Sequence, residues 1–401
     1  MPYDGGVSRF SRRTGWDLTE SSFASALRQA RASGRRLWDL TISNPTRCGF
    51  DYDADALLPP LTGLQALSYD PDPRGLVNAR AAVARYYSAH HAEVGLDDLL
   101  LTTSTSESYS YLFRLLCDPG DEVLVPQPGY PLFDFLAELD DVCLKPYPMF
   151  YDHGWWIDRG ELERAIGPKT RAILVVHPNN PTGHWTRSEE RAWLQDISVR
   201  HNLALVVDEV FLDYPLDGNP PGSFATGEHP VLTFVLSGLS KICGLPQMKA
   251  AWIAAFGPES QKSEALGRLE MIADTFLSVS TPIQLALPHW LEQAGGIQRQ
   301  ILSRAGTNLS VLRSIAAEHP GSIEVLEPEA GWSTILSLPG CGGDPACAEH
   351  LLTSSAVIVH PGSFYAMSAP NRVVVSLIGD SDEFEQGILR AISQAIIGNP
   401  G

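Results

Sequence analysis

The sequence predicts an α/β fold: a large domain with a mainly parallel mixed sheet sandwiched by helices, plus a smaller α+β domain. Three observations point there. Residues from about 92 to 280 alternate short apolar runs with longer amphipathic ones, the rhythm of βαβ units. The last hundred residues change texture, with helical stretches followed by short strand candidates. The chain has 401 residues and is 44% hydrophobic, enough for a large core and a second, smaller one.

Taken in order, Ser21 to Ser33 reads as a helix of an N-terminal arm that packs on the smaller lobe or reaches a second subunit. Leu99-Leu100-Leu101 is a strand, followed by a helix from Ser106 to Leu116 that Asp118-Pro119-Gly120 closes. Strands follow at Glu122 to Val125, Ala172 to Val176, Leu203 to Val207 and Val231 to Leu236, with a helix from Ser188 to Arg200 among them. Helical stretches around Leu285 to Glu318 precede the strand candidates Ile323 to Leu326, Ser333 to Leu336 and Arg372 to Leu377. The expected division is residues 48–285 for the large domain, with 1–47 and 286–401 forming the smaller one. In a sheet of this kind ligand chemistry collects at the carboxyl ends of the strands.

Net charge is −18, with acidic residues dispersed along the chain, which argues against nucleic acid or an anionic membrane as partner. Cys48, Cys117, Cys143, Cys243, Cys341 and Cys347 form neither a C-x-x-C pair nor a metal-ligand spacing. Reduced thiols in a cytoplasmic protein are the expectation. Met1-Pro2-Tyr3-Asp4-Gly5-Gly6 lacks the pattern of a signal peptide, and no apolar run approaches a membrane span.

The chemistry concentrates at the ends of the strands. Lys241, in Ser237-Gly238-Leu239-Ser240-Lys241, is a candidate for imine formation with a carbonyl. Asp208 ends an apolar strand and would be a buried carboxylate. Asn180, in Asn180-Pro181-Thr182-Gly183, follows another strand. A lysine for an aldehyde, a carboxylate that keeps a pyridine nitrogen protonated and an amide for a ring hydroxyl are what pyridoxal phosphate requires. Its phosphate needs amides at a helix start and a cation. Ser104-Thr105-Ser106 supplies the helix start, and Lys249, eight residues after Lys241, supplies the cation. Tyr130, in Pro128-Gly129-Tyr130-Pro131, would stack on the ring. Singly, each has a plainer reading: Asp208 and Asn180 as turn residues, Ser104 to Ser106 as a helix cap, Tyr130 as a core or turn aromatic, Lys249 as a surface lysine.

Together these motifs resemble the class I/II aminotransferase family of fold-type I pyridoxal-phosphate enzymes, over nearly the whole chain. Asn179 to Gly183, Asp208-Glu209 and Ser240-Lys241 followed by Gly244-Leu245-Pro246 carry the resemblance most specifically. Tyr69 with Pro73-Arg74-Gly75-Leu76, Ser104 to Glu107, Asp118 to Asp121 and Pro361-Gly362-Ser363 extend it. The resemblance implies a homodimer in which Tyr69 reaches the phosphate of the neighbouring subunit. It also implies that Thr105, Ser106, Ser240 and Lys249 hold the phosphate.

Three positions depart from the family pattern. Phe211 stands where a tyrosine usually donates to the ring hydroxyl. Its loss predicts a raised pKa of the lysine–cofactor imine and cofactor binding weaker by about 0.5–1.5 kcal/mol. Val374 stands at the usual arginine that clamps a substrate carboxylate, leaving Arg372 and Arg47 as substitutes. Gly238 replaces a frequent phosphate-binding serine, a role open to Ser237 or Ser240. The resulting reading is a cytoplasmic, homodimeric aminotransferase that moves an amino group between an amino acid, or related amine, and a 2-oxo acid through a Lys241 Schiff base. The alternative is a lyase or oxidase acting on a specialised amino acid with the same cofactor. A non-catalytic, cofactor-binding sensor is the third reading, disfavoured by the intact Lys241 and Asp208.

Overall fold

The computed structural model describes residues 9–218, 222–341, 346–367, 369 and 371–397. Residues 1–6, read above for a leader, lie outside these. Eight strands build the large sheet: β1 (Leu99–Thr102), β2 (Glu122–Gln127), β3 (Cys143–Tyr151), β4 (Trp155–Ile157), β5 (Thr170–Val176), β6 (Ala204–Asp208), β7 (Thr233–Gly238) and β8 (Ala251–Phe256). Their spatial order is β1-β8-β7-β6-β5-β2-β3-β4. The pairings from β7 through β6, β5 and β2 to β3 are parallel. Those of β8 with β1 and β7, and of β3 with β4, are antiparallel.

Alternation within buried strands assigns the faces. On β5, Ala172, Leu174 and Val176 meet Tyr109 and Leu112 of α3 (Thr105–Leu116) and Leu266 and Leu269 of α6 (Glu259–Phe276). Ile173 and Val175 join the opposite core with Val83 of α2 (Val77–Ala89) and Leu194 and Ile197 of α5 (Ser188–His201). Both faces are covered, which is why these strands read as continuous apolar runs.

The strands β3, β4 and β8 were not among the expected elements. Pro146 and Pro148 interrupt β3, and a proline ordinarily argues against a strand inside a sheet. In β8, Ala251, Ala254 and Ala255 dilute the β-branched signal.

A second sheet of four antiparallel strands runs β9 (Glu324–Leu326), β10 (Ser333–Ser337), β12 (Arg372–Ser376) and β11 (His360–Pro361) in space. The 38-residue helix α7 (Thr281–Glu318) links the two cores. Ala286, Leu287, Trp290 and Ala294 pack beneath the large sheet, and Ile301, Leu309 and Leu312 pack in the smaller lobe. The 285/286 position therefore falls inside one helix. Phe23 and Ala30 of α1 (Ser22–Ala32) and Phe384 and Ile388 of α8 (Ser381–Ile397) complete the smaller core. Ahead of α1 the arm crosses the large domain, where Trp16 sits edge-on to Phe135 of α4 (Phe133–Leu139) at 5.3 Å and Arg13 pairs with Asp141.

The expectation of reduced thiols fails at one pair. Cys341 and Cys347 form a disulfide with their Cα atoms 5.1 Å apart. A separation of six residues is neither a C-x-x-C pair nor a metal-ligand spacing, so spacing alone did not reveal it. Cys48, Cys117, Cys143 and Cys243 are free.

Candidate active site

A cavity of about 340 Å³ opens between the carboxyl ends of the large sheet and the smaller lobe. Lys241, Asn180, Tyr130 and Phe211 line it from the large domain, and Trp332, Ser333, His360, Tyr365, Val374 and Ser376 line it from the smaller lobe. Thr41 and Ser43 of the arm close its edge.

Lys241 lies on a one-turn helix, Leu239–Ile242, that directly follows β7. Its backbone carbonyl accepts a hydrogen bond from the Tyr214 hydroxyl at 2.5 Å. Its Nζ lies 4.9 Å from the ring centroid of Trp332 and 5.4 Å from that of Phe211. Loss of hydration lowers the ammonium to about 8, against the pull of Asp208. Asp208, the last residue of β6, is 6% exposed. Burial raises its carboxyl above the ordinary carboxylate range. Three opposing influences follow: the Tyr109 hydroxyl donating at 2.6 Å, the Val210 amide at 3.0 Å and the charge of Lys241. Tyr109, on α3, escaped the sequence reading. Its signal was weak, a tyrosine at the fifth position of a helix, indistinguishable from a core aromatic.

Asn180 sits in a tightly fixed loop. Asn179 accepts from the Thr182 hydroxyl at 2.9 Å, and Gly183 is left-handed at φ +70°. A Cβ there would meet the Ala330 carbonyl at 2.6 Å, so glycine is what lets this loop touch the smaller lobe. Gly238 has a different reason. Its Cβ would come within 2.8 Å of the Ala251 Cβ on β8, which leaves no room for the serine of the family pattern. Ser237 is buried and directs its hydroxyl to the Glu209 carbonyl at 3.5 Å.

Thr105 and Ser106 form the first turn of α3, where backbone amides lack intrahelical acceptors. Ser104 caps the helix by accepting from the Glu107 amide at 3.2 Å, and Glu107 reaches back to the Thr103 amide at 2.7 Å. Ser240 is half-buried beside Lys241, whereas Lys249 is exposed. Neither they, nor Thr105 or Ser106, line the cavity. Tyr69, 80% exposed, lines a separate hollow with Leu101 and Gln284.

The two substitute arginines point elsewhere. Arg372 lies over the Trp155 ring at 5.7 Å, and Arg47 lines another hollow with Asp380 and Glu383. The cavity wall holds no arginine among the described residues. Trp332 and His360 also escaped the sequence reading, since strand pairing between distant segments brings them in.

Past the Asn179–Gly183 loop, His184 and Glu190 form a buried pair at 3.0 Å. Arg187 and His184 reach Glu329 of the smaller lobe at 2.9 and 3.5 Å. The two carboxylates raise His184 above its ordinary value although burial works against them.

A lysine on the cavity wall, with a buried carboxylate at the neighbouring strand end whose charge acts on it, is the pairing an aldehyde-bearing pyridine cofactor calls for. The family model "Aminotransferase class I and II" matches residues 65–390, and the chain belongs to that family. Its members use pyridoxal 5'-phosphate. Alanine aminotransferase of Mycobacterium tuberculosis is 28% identical over 355 residues, covering 85% of this chain and 81% of that protein. Glutamate-pyruvate aminotransferase of Escherichia coli is 29% identical over 255 residues, and the match spans 63% of each chain. Among solved structures, an alanine aminotransferase from Pyrococcus furiosus superposes with a TM-score of 0.84 at 21% identity, covering 97% of this chain and all of that one, a likeness of fold. Among the described residues no helix is long and apolar enough to cross a membrane.

Proposed function

We propose that the protein is a pyridoxal-phosphate-dependent aminotransferase, moving an amino group between an amino acid or related amine and a 2-oxo acid. The observation that carries this is Lys241, drawn to a lowered pKa, in one cavity with Asn180 and Tyr130 and within the field of buried Asp208. When bound, pyridoxal phosphate supplies an electron sink for charge developing on the donor's α-carbon. Lys241 would hold the cofactor's aldehyde and, once released, carry a proton to and from the donor carbon as general acid and base. Asp208, fixed by Tyr109 and Val210, would keep the proton on the pyridine nitrogen. The Asn180 amide would donate to the ring hydroxyl, and Tyr130 would cover the ring face. Thr105 and Ser106 would present first-turn amides to the phosphate, with Ser240 and Lys249 as its further partners.

Exposed Tyr69 would serve the site of a second copy, in a cytoplasmic homodimer. The relatives' names make alanine and glutamate the first donors to try. The test is the visible spectrum of the purified holoenzyme during addition of donors without any acceptor. Conversion to the band of the amine form, with one 2-oxo acid per site, supports transamination. Ammonia release without that conversion would favour the lyase or oxidase reading.

A further inference from the structure

We propose that His360 is the residue that recognises the donor's carboxylate, in place of an arginine clamp. This inference rests on the transamination reading above. The clamp position is Val374, 1% exposed and paired across β12 with Ile335 on one side and His360 on the other. Directly opposed residues of antiparallel strands project to the same face, with Cβ atoms about 4.5–5.5 Å apart. His360 and Val374 accordingly line the same cavity wall.

A carboxylate pressed against Val374 loses water and gains nothing in return unless a donor stands close by. Arg372 and Arg47 are turned to other surroundings. Ser333, Ser376, Thr41 and Ser43 offer hydroxyls, but among the described residues His360 is the one group on this wall that can add a positive charge as well as a hydrogen bond. Its ring is held against Phe364 and Tyr365, with centroids 5.8 and 6.1 Å away. It makes no hydrogen bond to another described residue, which leaves its nitrogens available.

The charged and titratable groups around His360 are Asp39 from the arm and Lys241, Tyr130 and Tyr365 on the cavity walls. Burial holds the imidazole below its ordinary value, and Asp39 opposes that only partly. An incoming carboxylate would therefore draw a proton onto His360, and its binding would weaken as pH rises. An arginine clamp, always charged, carries no such dependence.

The experiment titrates the holoenzyme's visible band with propionate and with propionamide between about pH 5 and pH 8. Propionate cannot react, so the readout is binding rather than turnover. The wild type is expected to prefer propionate and to lose affinity as pH rises. His360→Gln should weaken propionate roughly tenfold or more and flatten the pH dependence, with propionamide unaffected. Val374→Arg should restore tight, pH-independent propionate binding to that variant. Unchanged affinity and slope in His360→Gln, or a wild type indifferent between the two ligands, would overturn the proposal. Should His360→Gln fail to hold cofactor, Val374→Arg in the wild-type background decides instead: abolition of the pH slope supports the role of His360, and persistence of the slope refutes it. A holoenzyme that binds propionate through His360 yet transfers no amino group from any donor would sink the aminotransferase reading alone.

Discussion

The two walls of the cavity are built on opposite principles. The wall at the ends of β6 and β7 is charged and heavily hydrogen-bonded: Asp208 is held by Tyr109 and Val210, and Lys241 by the Tyr214 contact to its backbone. The wall from the smaller lobe is uncharged or nearly so, with Val374, Trp332, Ser333 and Ser376 around one histidine. A cofactor that stays bound from one turnover to the next can be met by fixed charges whose burial is offset by permanent partners. A donor and an acceptor must enter and leave, and a wall of aromatic and hydroxyl groups accommodates that exchange without stranding an unpaired charge. On the proposed function, cofactor chemistry belongs to one wall and substrate choice to the other.

The largest expected effect breaks the first wall outright. On the proposed role, Lys241→Ala removes both the covalent anchor and the proton carrier, so turnover should fall roughly a thousandfold or more while the protein still folds. Single-turnover assays with a preformed amine form of the cofactor would measure this. Turnover within tenfold of the wild type would mean that another base does the work.

A smaller effect is expected at Tyr109. Tyr109→Phe deletes a charge-assisted hydrogen bond to a buried carboxylate, worth about 1.5–3 kcal/mol. That bond lowers the Asp208 pKa against the effect of burial, so its loss should raise the pKa further. The acid limb of the kcat–pH profile should move to higher pH, because protonated Asp208 no longer holds the pyridine proton. An unmoved limb would assign Tyr109 to packing alone.

These two residues also mark what was legible in the sequence. Lys241, Asp208 and Asn180 could be read because each sits at a strand end within a short local motif, and local chemistry fixes such turns. Tyr109 could not, since only the folded packing of α3 against β6 gives its hydroxyl a partner 99 positions away. The absence of an arginine at residue 374 was visible, but its replacement was not. His360 meets Val374 only through the pairing of β11 with β12. Helices α1, α3, α5 and α7 and the continuous apolar strands of the large sheet announced themselves locally, whereas α2, α4, α6 and α8 did not. The proline-bearing β3 and alanine-rich β8 did not.

The two lobes are joined by the His184–Glu190–Glu329 network, which tests whether they act as one unit. His184 sits between two carboxylates that favour its protonated form and raise its pKa, so its stabilising contribution is present below its unfolded value of about 6.5 and fades as pH rises through the folded value. Glu190 and Glu329 are lowered by His184, and their contribution fades in acid. Glu329→Gln should cost about 1–2 kcal/mol near neutral pH, seen as a lower Tm, and flatten the alkaline loss of stability. Equal Tm–pH curves for variant and wild type would confine the network to local packing.

The smallest expected effect lies where the two walls meet. Phe211 comes from the large domain but packs edge-to-face on Trp332 of the smaller lobe at 5.0 Å. A tyrosine there would have to keep that contact while turning a hydroxyl to the cofactor. If the ring plane is set by Trp332, Phe211→Tyr adds a donor without disturbing the lobe contact. Cofactor binding should then tighten by about 0.5–1.5 kcal/mol, and the lysine–cofactor imine should deprotonate at lower pH in a visible titration. If the titration does not move, the hydroxyl has found a partner away from the ring. Phe211 would then belong to the substrate wall rather than to the cofactor wall.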